Sequence, residues 1–422
     1  MEEKTVKDAP ERTPAHPRLA LALAAFALVL AAPPGLSQKL RDKSKPVNDP
    51  VQCPYCHGDP ELMAAAGIVS HGGFEFAKED TKAIDEYMAT DDIRWIETPH
   101  FEIGFALRSL KVTQKEKAKI RAELGRLAEV LPDVKPKTRS LDPWLRAHLY
   151  AQRVEDLWDQ FLTIVRVAES EFPKGDKPWD LTGKYMGQGP YLGQKGKFEI
   201  LFLPSEGSLR EFLRKQFGLM TRLSQRWNVI ARDSLILVVH TQQGSLRVDA
   251  AMHGHIAFNL AEQFLNGYKH YSYDTPVWIH EGLAHWIERS IDPNYNSFDS
   301  SEGAVAEMTS KSKWRTPTLK LVRSGKALRM AQLMALRGFA ELKLEHHFTT
   351  WSMMDFLMTE HPEFLAKLLD GINGLTNRKG YDDGSGLNEV HRKLFKTELG
   401  MSYAKFDEAW RTWVLANYGS SE

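Results

Sequence analysis

Two histidine-bearing segments with helical character constrain this chain more than any other feature. The first reads DAAMHGHIAFNLAEQF (residues 249–264), and the second, after a short loop, reads TPVWIHEGLAHWIER (residues 275–289). We expect both to be helices, with Thr275 as a cap and Pro276 in the first turn of the second. The strongest functional signal in the chain therefore lies on these two helices.

The second segment contains two histidines but not the HExxH zinc motif. His280 and His285 are five residues apart, so they differ by about 140° around a helix and cannot easily share one metal ion. Glu281, His285 and Glu288 instead stand at positions i, i+4 and i+7, which form one stripe on one helix face. A metal ion bound by this helix would therefore use Glu281, together with His285.

The phrase PVWIHEGLA (residues 276–284) resembles the second active-site helix of peptidase MA-like (gluzincin) domains. In that family a P-x-W-L-x-E-G-x-A-x-Y segment supplies the third zinc ligand, a glutamate, which the resemblance places at Glu281. The buried strand before it and the closing segment FDEAWRTWVLANY (residues 406–418) are similar to the same layout. The resemblance covers residues 195–418 and implies a zinc-peptidase domain.

The first active-site helix of that family should carry HExxH, which supplies two histidine ligands and a glutamate base. The corresponding helix here reads MHGHIA (residues 252–257). Whether the motif is counted from His253 or from His255, the positions of the glutamate base and of the second histidine hold other residues. The resemblance therefore implies a domain whose usual catalytic base is absent.

Two interpretations follow for the region around Glu281. A remodelled zinc site could use His253 or His255 together with Glu281 and His285, which are acceptable nitrogen and oxygen ligands but would need a new base. Alternatively, the domain is a pseudoenzyme whose histidines are ordinary polar residues of a pocket. The later pair His346-His347 is interpreted as part of a loop or a helix start rather than as a ligand set.

The only two cysteines of the chain lie in the motif CPYCH (residues 53–57). The pattern C-x-x-C-H is the attachment signature of c-type haem, which is covalently attached outside the cytoplasm. In that interpretation Cys53 and Cys56 form thioethers and His57 is the proximal iron ligand. Met63 or His71 would then be the sixth ligand. Haem c is therefore one candidate cofactor.

Three other fates of the cysteines stay open. A small zinc site could combine Cys53 and Cys56 with His57 or His71, and with His100. The CPYC sequence also matches a redox-active dithiol, although no βαβ pattern surrounds it. Finally, the two cysteines could form a disulfide, which a two-residue gap would leave strained and reducible.

The N-terminus has the pattern of a secretory leader. A polar, Lys- and Arg-bearing stretch precedes the uninterrupted apolar run LALALAAFALVLAA (residues 19–32). As a helix this run would reach about 21 Å, which is short of the ~30 Å hydrocarbon core of a bilayer. We therefore expect a signal peptide with cleavage before Gln38, or an uncleaved signal anchor that keeps the chain at a membrane, and export to the periplasm or the extracellular space.

The remaining pattern predicts an α+β protein that is mainly helical and contains a small sheet. Strands are expected within HFEIGFALRSL (residues 100–110), KFEILFL (residues 197–203) and SLILVVH (residues 234–240). The expected segments are a leader (1–37), a linker with the CxxCH motif (38–90), a strand followed by helices (91–172) and the peptidase MA-like domain (173–422).

Composition excludes few classes of function, because Lys+Arg and Asp+Glu balance at 55 each and the hydrophobic fraction is an ordinary 42%. The even charge gives no indication of a nucleic-acid partner. The sequence thus predicts an exported, metallopeptidase-like protein that is impaired or inactive for want of HExxH, with a peptide or protein as its ligand. A c-type haem redox protein and a non-catalytic peptide-binding module are the alternatives.

Overall fold

The computed structural model describes residues 49–174, 184–270, 275–298, 312–379 and 383–419. All of them belong to one compact unit that begins at Pro46. The predicted leader over residues 1–37 lies outside the described residues. Among the described residues, no helix combines the length and the apolar character needed to cross a bilayer.

Helices make up most of the described chain. The α-helices are α1 (Pro60–Ala65), α2 (Thr81–Tyr87), α3 (Lys117–Val130), α4 (Pro143–Val165), α5 (Glu206–Phe217), α6 (Asp249–Gly267), α7 (Val277–Ile291), α8 (Arg315–Arg323), α9 (Met330–Leu333), α10 (Leu344–Glu360), α11 (Pro362–Ile372), α12 (Leu387–Thr397) and α13 (Tyr403–Asn417). Short 3-10 helices cover Pro50–Gln52, Glu169–Glu171 and Phe339–Glu341.

One five-stranded mixed sheet lies at the centre. The strands of the described chain are β1 (Glu75–Phe76), β2 (Glu79–Asp80), β3 (Arg94–Glu97), β4 (Phe101–Phe105), β5 (Leu110–Lys111), β6 (Ser140–Leu141), β7 (Phe198–Leu203), β8 (Gln225–Val229) and β9 (Ser234–His240). The sheet has the order β3-β4-β7-β9-β8, in which β4, β7 and β9 are parallel. The edge strands β3 and β8 run antiparallel to their neighbours.

The three central strands are buried along their whole length, which is typical of parallel strands covered on both faces. One face packs against α4 and α6, and Phe198, Ile200 and Leu237 contribute to this larger core. The other face packs against α2 and α5, and Leu201 and Ile236 contribute to that smaller core. The strands of FEIGF, FEILFL and SLILVVH lie where the apolar runs predicted them.

The helices after α6 form a bundle on the side of α6. Helix α7 packs against both α6 and α10, and α10 also packs against α8, α11 and α13. The start of α7 differs from the expected one, because Pro276 is its N-cap and the Thr275 hydroxyl donates to Asn373 Oδ1 at 2.9 Å. Thr275 therefore tethers the loop before α7 to the end of α11 instead of capping the helix.

The predicted fold class is confirmed, since the protein is α+β and mainly helical with a small mixed sheet. The sheet takes strands from both sides of residue 173, because β4 pairs in parallel with β7 over Phe101–Phe105 and Phe198–Phe202. The sheet thus joins the part of the chain that carries the cysteines to the part that carries the histidine helices.

Candidate functional site

Helices α6 and α7 pack antiparallel, which the contacting pairs along them show. A Cβ on Gly254 would lie 3.4 Å from Glu288 Cγ, and the Phe258 ring lies 5.0 Å from the His285 ring. One further turn along, Glu262 Oε2 lies 2.9 Å from Nδ1 of His280. The predicted stripe of Glu281, His285 and Glu288 is therefore fully buried within the bundle.

Glu281 and His285 converge with a histidine of another helix, His347 in the first turn of α10. Oε2 of Glu281 lies 3.2 Å from His285 Nε2 and 3.1 Å from His347 Nδ1. The two imidazole nitrogens are 3.2 Å apart. We call these three residues, all 0% exposed, the α7–α10 centre. Its three ligand atoms lie within 4.8 Å of one another, as metal ligands do.

A second carboxylate orients the imidazole of His285. Oε2 of Glu288 lies 3.3 Å from Nδ1 of His285, which leaves Nε2 facing Glu281 and His347. Metal-binding histidines are commonly oriented through the second ring nitrogen in this way. The contacts thus run in one continuous row from Glu288 through His285 to Glu281 and His347.

A glycine allows α7 and α10 to come close enough for this arrangement. A Cβ added to Gly282 would lie 2.9 Å from the backbone oxygen of Thr350, closer than real Cβ atoms approach. Because Gly282 follows Glu281 directly, the close helix crossing places that glutamate beside α10. The EGLA part of the sequence motif therefore has a packing role as well as carrying Glu281.

Burial and the neighbouring charges shift the pKa values of the centre in opposite directions. Burial favours the neutral form of Glu281, but the contacts with His285 and His347 outweigh it and lower the pKa of this carboxyl. Burial lowers the pKa of His347. For His285 the carboxylates of Glu281 and Glu288 outweigh the effect of burial and raise its pKa. The centre therefore holds the ionised carboxylate of Glu281 in the interior.

The structure does not bring His253 or His255 to the α7–α10 centre. Nδ1 of His253 lies 4.0 Å from Glu123 Oε1, on the side of α6 that faces α3. Nδ1 of His255 lies 3.0 Å from the Ser297 hydroxyl. Burial, then the positive charge of Arg226, lowers the pKa of His255 to about 3, so this imidazole is neutral near pH 7.

Both residues of the pair His346-His347 lie in the first turn of α10, as the helix-start interpretation expects, but their side chains differ in environment. Nδ1 of His346 accepts a hydrogen bond from the backbone N–H of Lys343 at 2.8 Å, so His346 occupies a helix start as expected. His347 points inwards and is fully buried. Because the two histidines are adjacent in the sequence, no sequence signal shows which of them bonds to the helix start and which is buried.

A polar network fills the region between α6 and the edge strand β8. Arg226 of β8 donates to Asn259 Oδ1 at 3.0 Å, and its guanidinium lies 3.9 Å from Glu262 Oε2. Glu262 in turn contacts His280. An arginine cation therefore lies beside Asn259, the residue that stands where a second HExxH histidine is expected when the motif is counted from His255.

The outer edge of β8 carries exposed apolar side chains. In the described chain β8 pairs with β9 alone, so its other edge has no strand partner. Near this edge the large apolar residues Met220, Leu223, Trp227 and Ile230 are 66%, 38%, 39% and 84% exposed. A cavity of about 250 Å³ opens beside it, lined in part by Leu223 and His255. This edge and cavity together form the β8 surface.

The cysteines lie far along the chain from these helices but close to two histidines. Sγ of Cys53 lies 3.1 Å from His148 Nε2, and Sγ of Cys56 lies 3.2 Å from His71 Nε2. Both cysteines are free and buried. The predicted partner His71 is thus present, whereas His148 of α4 gave no signal in the sequence.

Two other histidines that the cysteine motif suggested lie elsewhere. His57 is half exposed, and its Nε2 lies 2.8 Å from Asp133 Oδ2. His100 stacks on Trp158, with ring centroids 4.0 Å apart, and its Nδ1 lies 2.6 Å from Glu155 Oε2. The structure therefore groups the thiols with His71 and His148, and not with His57 or His100.

No protein-family model matches this chain, and no curated protein matches it.

Proposed function

We propose that the chain is an exported, metallopeptidase-like protein that holds a divalent metal ion at the α7–α10 centre and does not hydrolyse peptides. The proposal rests on one observation: Glu281, His285 and His347 present three convergent ligand atoms at zero exposure. The resemblance of the α7 sequence to gluzincin domains supports the zinc-ligand role of Glu281.

The donor atoms suit a small divalent ion in spacing. Two nitrogen or oxygen ligands at about 2.0–2.1 Å from zinc, at a tetrahedral angle, lie about 3.3 Å apart. The three distances among Glu281 Oε2, His285 Nε2 and His347 Nδ1 are 3.1, 3.2 and 3.2 Å. Two imidazoles and one carboxylate are also a common zinc ligand set.

Charge and hydrogen bonding favour the same assignment. Among the described residues, Oε1 of Glu281 and Oε1 of Glu288 accept no hydrogen bond, although both atoms are buried. Buried carboxylate oxygens without a hydrogen-bond partner are costly, and a divalent cation at the centre would place positive charge beside both of them. When bound, the ion would supply that positive charge and a cross-link between α7 and α10.

The same structure supports the absence of hydrolysis. A hydrolytic zinc site needs an open position for water and a general base within reach of it. The α7–α10 centre is closed to solvent, and Glu288 is engaged with Nδ1 of His285. On the α6 side, the place of the second HExxH histidine is taken by Asn259 with its Arg226 contact.

A second function, the binding of an extended polypeptide, is favoured by the β8 surface. An unpaired edge strand offers backbone groups to an added strand, and a neighbouring cavity can receive a side chain. The exposed residues around Trp227 make the surface apolar. We propose that the ligand is an extended, apolar polypeptide segment that binds here and stays intact.

Elemental analysis of the purified mature chain tests the metal assignment. We expect Glu281→Gln and His347→Ala each to lose one metal equivalent relative to the wild type. His346→Ala is the matched control and should keep the full content, because that side chain caps α10 instead of facing the centre. Equal metal content in the wild type and all three variants would contradict the assignment of a metal ion to the α7–α10 centre.

A proteolysis assay tests the absence of hydrolysis separately. An unstructured protein substrate is incubated with the wild type and with Glu281→Gln, each at known metal content. We expect no cleavage above the blank in either sample. Cleavage by the wild type that Glu281→Gln abolishes would show a working peptidase.

A further inference from the structure

Four side chains, those of two cysteines and two histidines, meet from three separate stretches of the chain. Cys53 and Cys56 come from a turn, His71 from a loop and His148 from the buried helix α4. The ligand atoms of Cys53, Cys56 and His148 lie within 4.8 Å of one another. His71 is the fourth residue of the group: it contacts Cys56, but its ligand atom does not lie within 4.8 Å of all the other three. We call this group the Cys2His2 cluster.

The ring of His71 is held with one nitrogen free to act as a ligand. Its Nδ1 lies 3.1 Å from the backbone carbonyl oxygen of Trp95, which can only accept a hydrogen bond. Nδ1 therefore carries the proton, and the lone pair of Nε2 faces Cys56 Sγ. This tautomer, fixed by a backbone carbonyl, is the usual arrangement of metal-binding histidines.

A tight backbone turn places both thiols on the same side. The N–H of His57 donates to the carbonyl of Cys53 at 3.0 Å, and the N–H of Asp59 donates to the carbonyl of Cys56 at 2.8 Å. His57 and Gly58 both have positive φ, which turns the chain away directly after the second cysteine. The imidazole of His57 consequently points outwards to Asp133.

We propose that the Cys2His2 cluster holds one zinc ion in a closed structural site. Two thiolates and two imidazoles are a zinc ligand set, and four protein ligands leave no open position. A zinc-bound sulfur and nitrogen at a tetrahedral angle lie about 3.5 Å apart. The sulfur–nitrogen distances of 3.1 and 3.2 Å are close to that value.

The surroundings fit a neutral metal site. The two cysteines belong to an apolar cluster with residues of α3 and α4, including Leu124 and Leu149. Two thiolates and one Zn²⁺ sum to no net charge, so the assembled site can be buried among these side chains without a further counter-ion.

The ion would cross-link parts of the chain that are distant in sequence. His148 lies 95 residues after Cys53, and His71 lies 15 residues after Cys56. A metal ion that joins them closes long loops, and its binding free energy adds to the free energy of folding. The site would thus fix the N-terminal segment to α4, independently of the α7–α10 centre.

The test counts metal in the full mature chain and in four variants. Cys56→Ser and His148→Ala should each lose one zinc equivalent, whereas His57→Ala, the neighbouring control, should keep it. Glu281→Gln serves as the fourth variant, because it should leave zinc at the Cys2His2 cluster unchanged. A failure of the α7–α10 centre is therefore distinguishable from a failure of the cluster.

A second measurement uses the wild type alone, in case the cysteine variants fail to fold. Replacement of zinc by cobalt should give the sulfur-to-cobalt charge-transfer absorption of a tetrahedral thiolate site. Both thiols should react with a thiol reagent only after a chelator has removed the metal. A covalently haem-shifted mass, thiols that a chelator leaves unreactive because of a disulfide, or zinc retained in His148→Ala would each overturn the proposal.

Discussion

Nε2 of His285 lies 3.2 Å from Nδ1 of His347, although 62 residues separate the two histidines in the chain. Both nitrogens also lie beside Oε2 of Glu281. This convergence of three possible ligand atoms is the observation that supports the proposed metal site. The proposed metal site therefore lies at the crossing of α7 and α10, and not at the α6–α7 contact, where HExxH is expected.

The helix crossing makes a prediction about Gly282. We expect Gly282→Ala to cost about 1–3 kcal/mol of unfolding free energy and to lower metal occupancy, because its Cβ would press on the Thr350 oxygen and separate α7 from α10. Urea unfolding and elemental analysis measure the two effects. The control Gly125→Ala, in α3 with open space around its Cβ, should be neutral or stabilising by up to about 1 kcal/mol. An undisturbed Gly282→Ala protein would contradict the packing argument.

The buried His255 predicts a loss of stability in acid. Its folded-state pKa of about 3 lies below the usual value of 6.5. The unfolded chain therefore takes up a proton first as the pH falls below 6.5. Each pH unit below 6.5 lowers the free energy of unfolding by about 1.4 kcal/mol, which amounts to about 2 kcal/mol at pH 5.

This acid sensitivity can be isolated by substitution. His255→Gln should lack that part of the pH dependence when unfolding free energies at pH 7 and pH 5 are compared. Ser297→Ala, which removes the partner of the imidazole but keeps the imidazole itself, should retain it. Identical pH slopes for the wild type and His255→Gln would show that His255 does not resist protonation.

The β8 surface predicts a binding phenotype for Trp227. Exposed aromatic residues commonly dominate binding energy, so Trp227→Ser should weaken the binding of a labelled, unstructured apolar polypeptide by about 10-fold or more. Fluorescence anisotropy gives the dissociation constants. Leu415→Ser changes another exposed apolar side chain, on α13, and should leave the affinity as it was. Equal weakening by both variants would indicate non-specific adsorption.

The predicted leader can be checked directly. Expression with its own N-terminus in a bacterium should yield a mature chain that begins at Gln38, because small residues precede that position and an apolar run of signal-peptide length precedes them. N-terminal sequencing of the exported protein measures this. A chain that keeps residues 19–32 and fractionates with membranes would instead be held by a signal anchor.

The sequence predicted the elements well because their signals are local. The apolar runs at 197–203 and 234–240 correspond to β7 and β9, and the two histidine segments correspond to α6 and α7. The common face of Glu281 and His285 also follows from helix period alone. These features need no knowledge of which element packs against which.

The partners of those residues could not be predicted in the same way. His347 and His148 join their clusters through the packing of α10 and α4, which depends on contacts far apart in the chain. Each is one histidine in a helix, a pattern that fits an ordinary buried residue equally well. Helix period gives the face on which a residue lies, but the partner of that face is decided by the tertiary fold.

Anomalous X-ray diffraction at the absorption edge of the bound metal would locate an ion at the α7–α10 centre directly. Crystals of the wild-type protein should show a peak in contact with Glu281 Oε2, His285 Nε2 and His347 Nδ1, and Glu281→Gln crystals should lack it. Well-ordered wild-type crystals of metal-loaded protein with no peak between these three atoms would contradict the account. The buried triad would then be a hydrogen-bonded group of the core.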